Sequence, residues 1–493
     1  MTELNTLTIG QTVAGLKSKK FSAVDVTKSY IGNIEKNRRL NAFITETSDL
    51  ALEQAKKSDE NIAKGKMGDL EGIPLGVKDL FCTKNIRTTS ASKMLANFVP
   101  TYESTVTQKL WDAGAVMLGK LNMDEFAMGS TNITSHFGPV INPYKKKDCD
   151  DDLTPGGSSG GSSAAVAGNL CAGVTGSDTG GSIRQPASFT NIVGIKPTYG
   201  RCSRYGMIAF ASSFDCAGVM TKDVYDAALM LKVASGFDHR DSTSVKMAVP
   251  DFSKLLNSNI KGKKIGIPRE YHIDGVPSDI EELWSKGKEI LRKRGAEIID
   301  ISLPHTKYAP PIYYIAALAE ASSNLSKFDG VRFGFRAEGE NLSLEELYKK
   351  SRAEGFGAEV KRRIFIGTYS LSSGNFEEYY RKAQRVRTLV AQDMAEAFKK
   401  VDAILAPTAP NSAFPIDQSK ESTRFDPIKM YLNDIFTIPA NLAGVPAISV
   451  PAGFDHDGLP LGLQLITNHF DEQTALDIAL AIEEEVGIVK KNK

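Results

Sequence analysis

Apolar residues recur along this chain with helical spacing in some stretches and in short runs in others. After Ser22 they fall at Val26, Tyr30 and Ile34, which predicts one apolar stripe along an amphipathic helix. Ser22 stands as its N-cap, with Asp25 three residues on. A second helix is expected over about 47–63, rich in Ala, Lys and Glu. Ile73 to Val77 is a short apolar run, read as a buried strand that delivers Lys78 at its end. Ser104 then caps a helix carrying Val106, Leu110 and Trp111 and stopped near Gly114; Ala115 to Leu118 follows as a strand.

The same alternation returns later. Lys264 to Ile267 is strand-like. Ser278 and Glu281 have the spacing of a capping box ahead of a helix with Leu283, Trp284 and Leu291, and Gly295 ends that helix before the β-rich Ala296 to Leu303. A long helix is expected from about Glu377 to Lys400, then a strand Ala403 to Leu405 before Pro407. Strands around Ile448 and Leu463 and a helix from about Glu472 complete the tail. Alternation of this kind predicts a layered α/β fold. No repeat and no long polar linker divides the chain, and Lys145 to Asp152 reads as a solvated, charged loop. One large domain over 1–493 is therefore expected, with helices at about 8–65 packed on it.

One stretch breaks the pattern: TPGGSSGGSSAAVAGNLCAGVTGSDTGGSIR, residues 154 to 184. Its Gly/Ser clusters would suit a flexible linker, but Ala164, Ala165, Val166, Ala167, Leu170 and Val174 are apolar and demand burial. The stretch predicts a pair of tight, buried loops in which glycine lets the backbone approach a reacting group. No lysine follows the glycines, so this is no phosphate-binding loop, and G-x-G-x-x-G does not occur in it. G-x-S-x-G occurs twice, but the preceding KKKDCDDDLTP is no strand, as a nucleophile elbow requires.

Composition narrows the function further. In 493 residues, hydrophobic residues make up 41% and charged ones 24%, ordinary for a soluble globular protein. A formal net charge of +1 leaves no footprint for holding nucleic acid alone. Five cysteines (Cys82, Cys149, Cys171, Cys202, Cys216) without a C-x-x-C predict free thiols in a reducing cytoplasm. The N-terminus has neither a basic nor an apolar signal region, and no run of 18 apolar residues exists, so neither a signal peptide nor a membrane span is expected. None of the six histidines sits in a metal-binding spacing.

GGSSGGS, then GSDTGGSIRQPA, with GIPLGVKD upstream at Gly72 to Asp79, resembles the signature of the amidase signature family of serine amidases. The likeness extends from about residue 20 to about 485, with the signature core at about 70–235. It implies a single domain with a mixed central β-sheet covered by helices on both faces. It also implies a Ser–Ser–Lys triad without histidine: Lys78 as the base, Ser158 as the bridging serine on a cis peptide, and Ser182 as the nucleophile.

The residue chemistry fits those roles. The N–H groups of Thr179, Gly180, Gly181 and Ser182 can converge as an oxyanion hole, each donor worth ~3 kcal/mol in the transition state. Lys78 acts as a base only when neutral, and burial among Ile73, Pro74, Leu75, Val77, Leu80 and Phe81 lowers an amine's pKa. Asp79 would oppose this, but neighbours on a strand point to opposite faces.

Within the family, KPTYGRCSRYGMIAFASSFD (Lys196 to Asp215) and NDIFTIPANLAGVPAISVP look like the branch that forms glutaminase subunits of tRNA-dependent amidotransferases. That resemblance implies hydrolysis of glutamine and supply of ammonia to partner subunits of B and C type. The partner would convert Glu-tRNA(Gln) to Gln-tRNA(Gln) with ATP and Mg, so this chain would carry no cofactor and meet tRNA mainly through the partner. Free glutamine presents a carboxylate and an ammonium. Arg362 is expected to hold the first as a bidentate pair, with Arg363 a one-residue offset away as the other match; Asp434 would hold the second, and Tyr313 would line the pocket. The alternatives are a stand-alone amidase for a small or apolar amide, and a scaffold that has lost activity.

Overall fold

A computed structural model of the chain describes residues 3–416 and 431–487. Among them, eleven strands form one sheet in the order β1-β3-β2-β4-β6-β5-β10-β11-β9-β7-β8. In chain order these are β1 (Phe43–Glu46), β2 (Pro74–Lys78), β3 (Val116–Leu121), β4 (Gly173–Asp178), β5 (Val193–Lys196), β6 (Cys216–Thr221), β7 (Lys264–Pro268), β8 (Glu297–Ile301), β9 (Ala403–Pro407), β10 (Ala447–Phe454) and β11 (Pro460–Thr467). β2 runs parallel to both β3 and β4, and β7 parallel to β8 and β9, while the strands between β4 and β9 pair antiparallel. The sheet is mixed, as expected. β2, β3, β4, β5, β6, β9 and β11 are buried along their whole length, the pattern of strands covered on both faces.

The expected capping geometry holds at the N-terminal end. Ser22 caps the helix Ala23–Lys36 with Asp25 in a full capping box, and Val26, Tyr30 and Ile34 are buried. Asp59, from the next helix (Ser48–Ala63), accepts from Ala23 N at 2.6 Å. Asp226 does the same for the helix Ile9–Lys17, taking Ile9 N at 2.6 Å and Gly10 N at 2.9 Å. Carboxylates from elsewhere in the chain thus satisfy orphan amides at two helix starts and tie these helices to the body.

Three local expectations need correction. Ser278 is not an N-cap. The helix Ser278–Lys293 begins on it, Pro277 holds the cap position without a side-chain bond, and no capping box forms. Pro277 has φ −55° and ψ 145°, so the chain turns into the helix one residue before the serine, and Asp279 and Glu281 lie in the first turn, at the positive helix end. The long helix expected from about Glu377 to Lys400 starts as a π-helical segment, Phe376–Arg381, before regular turns over Lys382–Ala397. The first Gly/Ser cluster is a loop only as far as Ser159; Gly160–Ala167 is a buried helix. Glycine serves close backbone packing there, because a Cβ on Gly161 would lie 2.3 Å from Asn122 O.

Trp284 keys the second half of the sheet. It is fully buried, and its Nε1 donates to Leu405 O of β9 at 3.1 Å. Trp284→Ala removes this bond and leaves a cavity; a loss of about 3–5 kcal/mol in unfolding free energy is expected, read by denaturant titration. A loss below about 1 kcal/mol would show that the site collapses around the gap.

Candidate functional site

The parallel strands β2 and β4 end side by side, so the residues beyond their C-termini meet at one edge of the sheet, where α/β folds place ligands. β2 ends on Lys78. β4 ends on Asp178 and runs directly into Thr179, Gly180, Gly181 and Ser182. The loop ahead of the Gly160–Ala167 helix brings in Ser158, and the Gly157–Ser158 peptide bond is cis.

Lys78 is fully buried. Its Nζ lies 2.9 Å from Ser158 Oγ, 2.7 Å from Ser159 Oγ and 2.8 Å from Ser177 Oγ. Burial drives its pKa down to about 7, against the raising pull of the Asp124, Asp178 and Asp215 carboxylates. Asp79 takes no part in this. It points away to Lys120 Nζ at 3.6 Å and accepts from Thr89 N at 2.9 Å. A neutral amine donates two hydrogen bonds and accepts one. Ser159 gives its hydroxyl proton to Ser177 O at 3.2 Å, which leaves Ser158 or Ser177 to donate to the lysine lone pair. Ser159 and Ser177 both lie in the Gly/Ser stretch, but nothing in their spacing marks them as lysine partners.

Ser182 is 5% exposed, and its carbonyl accepts from Ser159 N at 3.3 Å. Among the described residues no hydrogen bond joins its hydroxyl to that of Ser158. Catalytic hydrogen bonds in empty sites are often long and tighten when substrate binds. Nor do the amides of Thr179, Gly180, Gly181 and Ser182 find a protein acceptor among those residues. The turn is held from outside: Thr437 Oγ1 donates to Gly180 O at 2.7 Å and Thr179 Oγ1 to Asp215 at 2.8 Å. Gly181, at φ +145°, has no room for a side chain, because a Cβ would lie 2.2 Å from Thr437 Oγ1 and 2.8 Å from Asp434 Oδ1.

Below the turn, Arg184 is completely buried and grips Asp178 with Nε and Nη2, each at 3.1 Å. Its other contacts reach Gln464 Oε1 at 3.0 Å, Asn441 Oδ1 at 2.6 Å and Thr437 O at 3.1 Å. Burial alone would raise the Asp178 pKa; the guanidinium overrides it and holds the group at about 2. Thr437, Asn441 and Gln464 escaped the sequence reading, since they lie about 250–280 residues from the turn they brace.

The structure gathers two of the three expected pocket residues and exchanges the third. The Tyr313 ring stands over Gly180, where an added Cβ would be 2.7 Å from Cζ. Asp434 is buried beside Gly181, and its Oδ1 has no hydrogen-bond partner among the described residues. Burial, with Asp178 nearby, pushes its pKa well above the usual carboxylate range. Arg362 lies elsewhere: 40% of its side chain is exposed and it pairs with Glu359. The inward position belongs to Arg363, buried, with Nε 2.8 Å from Glu359 Oε1 and its guanidinium against the rings of Phe210, Tyr314 and Tyr431. Helix periodicity decides between the two. On the helix Ala358–Leu371 the buried set is Glu359, Val360, Arg363, Gly367 and Ser370, an i, i+4, i+8 face from which Arg362 is rotated away.

This arrangement offers a serine hydroxyl on a glycine turn, an amine that loses its proton near pH 7 among three further serine hydroxyls, amides on the turn without a protein acceptor among the described residues, and a wall with a buried arginine and a buried carboxyl group. It suits acyl transfer. If Lys78 is the base, kcat/KM for amide hydrolysis should be low below about pH 6, rise as the amine loses its proton near pH 7, and level off above. Lys78→Arg, protonated throughout, should lose at least about a hundredfold. Near-normal turnover in that variant would mean the lysine acts only through its charge.

Comparison with known proteins agrees with this geometry. The family model described as amidase matches residues 25–476. The A subunit of glutamyl-tRNA(Gln) amidotransferase from Gluconobacter oxydans is 59% identical over 485 residues, covering 98% of this chain and 97% of that protein. The same subunit from Parvibaculum lavamentivorans is 56% identical over 484 residues, with 98% and 97% covered. Among solved structures, the A subunit of glutamyl-tRNA(Gln) amidotransferase from Thermotoga maritima is 37% identical, with a TM-score of 0.79 over 98% of this chain and 96% of that one. The native peptide amidase of Stenotrophomonas maltophilia is 28% identical, with a TM-score of 0.81 and 97% of each chain covered. A match over nearly the whole length, on a fold that carries the signature turn at its site, leaves one assignment: the chain belongs to the amidase signature family.

Proposed function

We propose that this chain is the glutaminase component of a tRNA-dependent amidotransferase. In this reading Ser182 attacks the side-chain amide of glutamine. Its proton passes through Ser158 to neutral Lys78 and on to the leaving ammonia. The amides of Thr179, Gly180 and Gly181 receive the oxyanion. Water then releases glutamate from the acyl-enzyme by the same relay in reverse. Partner subunits of B and C type take up the ammonia, and the amide is made on Glu-tRNA(Gln) with ATP and Mg. Relatives bearing the name of the A subunit, 59% and 56% identical over almost the full length, support this. Work beside the translation apparatus in the cytoplasm is part of this reading, and no helix among the described residues is long and apolar enough to cross a membrane.

The observation that carries the substrate is the unpartnered Oδ1 of Asp434 beside Gly181. A buried carboxyl group with a free oxygen ionises when a cation enters beside it, and the ammonium of an amino acid is one. Arg363 has its Nε engaged by Glu359, but four guanidinium N–H donors remain for a substrate carboxylate. A stand-alone amidase for an apolar amide gains nothing from either charge.

Two experiments separate these readings. Arg363→Ala should lower kcat/KM for glutamine by ~3 kcal/mol, roughly two orders of magnitude, while a simple primary amide is affected little and Arg362→Ala changes both less. Equal losses on both substrates would mean a general defect. In the assembled complex, Ser182→Ala should abolish glutamine-dependent amidation of Glu-tRNA(Gln) yet retain it with concentrated ammonium salt. Failure of ammonium in a mutant complex that assembles normally would overturn the ammonia-supplying role.

A further inference from the structure

Asp215 lies outside the relay and outside the charged pocket, yet touches the supports of both. It is buried, and among the described residues its carboxylate is satisfied by neutral donors alone. Oδ1 accepts from Thr179 Oγ1 at 2.8 Å and Ala211 N at 3.1 Å, and Oδ2 from Phe210 N at 2.9 Å. Sheet register puts it there: Asp178 pairs with Cys216 across the antiparallel β4–β6 ladder, so Thr179 and Asp215 meet one step beyond the last paired residues. The turn that Asp215 closes carries two aromatic rings. Phe210 lies 5.7 Å from the Arg363 guanidinium. Phe214 packs edge-on against Tyr313 at 5.8 Å, the ring that stands over Gly180.

We propose that Asp215 is a positioning residue that fastens the oxyanion turn to the substrate pocket. One oxygen fixes the Thr179 side chain, and with it the start of the turn whose amides face the reacting carbonyl. Both oxygens also hold the Phe210–Phe214 turn, which props Arg363 and Tyr313. A bond from a hydroxyl to a carboxylate is shorter and stronger than one between neutral groups, so it restrains the threonine rotamer where a valine would only fill space. A buried carboxylate with no paired cation is costly to fold around; a site needing only packing has no use for it. Burial pushes its pKa up to about 6, which leaves it an anion at neutral pH and able to accept all three bonds. The proposal rests on the reading of Thr179 to Gly181 as the oxyanion turn.

The two arms can be tested apart, in the full chain within its complex. Thr179→Val keeps the amides and the Phe210–Phe214 turn but loses the hydroxyl. It should lower kcat about tenfold with KM within about twofold, and Thr179→Ser should recover most of that loss. Asp215→Asn should lower kcat and also raise KM for glutamine severalfold, since both arms loosen. The double variant Thr179→Val with Asp215→Asn should have the kcat of Asp215→Asn alone. The proposal is overturned if Thr179→Val keeps the parental kcat, if Thr179→Ser is as slow as Thr179→Val, or if the two losses multiply. Should Asp215→Asn fail to fold, the valine–serine comparison decides. A simple primary amide run in parallel keeps the substrate question separate: a parent that cleaves it but not glutamine refutes the glutaminase reading, while the Thr179 series still tests the oxyanion arm.

Discussion

The buried pairing of Arg184 with Asp178 is the contact on which the site depends. Asp178 ends β4 and Arg184 opens the helix Arg184–Phe189, so the pair closes the turn Thr179 to Ile183 as a clasp closes a loop. The remaining bonds of the guanidinium reach Gln464 on β11 and Thr437 and Asn441 on or beside the helix Ile438–Ala443. Elements more than 250 residues away are thereby registered against the Gly180–Gly181 turn. A buried ion pair gains little net stability over an apolar replacement. What this one contributes is geometry, because five charge-assisted bonds from one planar group define both the turn and its neighbours.

From that clasp the electrostatics of the site follow. A lysine with no water around it would ordinarily be neutral or paired. Lys78 is fully buried, and among the described residues no carboxylate contacts it; three serine hydroxyls surround its amine, and its pKa settles at about 7. Asp178 stays ionised but is held by Arg184, and Asp79 is turned toward Lys120. The carboxylates around the lysine thus raise its pKa from a distance, partly offsetting burial, without capturing its proton. Hydroxyls are suited to this place because each can both donate and accept, so they can pass a proton in either direction.

The wall formed by Arg363 and Asp434 is built on a different principle. Arg363 and Glu359 are one helical turn apart and satisfy one another, while the rings of Phe210, Tyr314 and Tyr431 pack around the guanidinium. Asp434 Oδ1 has no such partner among the described residues. One charge here is already balanced, while burial holds the Asp434 pKa well above the usual carboxylate range until a cation enters beside it.

Local information in the sequence was sufficient for the strand that ends on Lys78, for the amphipathic helix after Ser22 with its capping box, for the α/β alternation, and for the signature whose resemblance singled out Lys78, Ser158 and Ser182. Each of these rests on neighbours within a few residues or on a motif of fixed spacing. Where a second local rule competed, the sequence misled. Pro277 took the cap expected of Ser278, and the apolar small residues after Ser159 wound into a helix that a Gly/Ser count does not predict. The choice between Arg362 and Arg363 belonged to the tertiary structure, because one residue of offset is a rotation of about 100° around a helix, and only the position of the packed face says which side is inward. The same holds for Thr437, Asn441, Gln464 and Asp215. Their chemistry is ordinary in sequence, and it acquires meaning only when the order of the sheet brings β4, β6 and β11 and the helix Ile438–Ala443 around a single glycine turn.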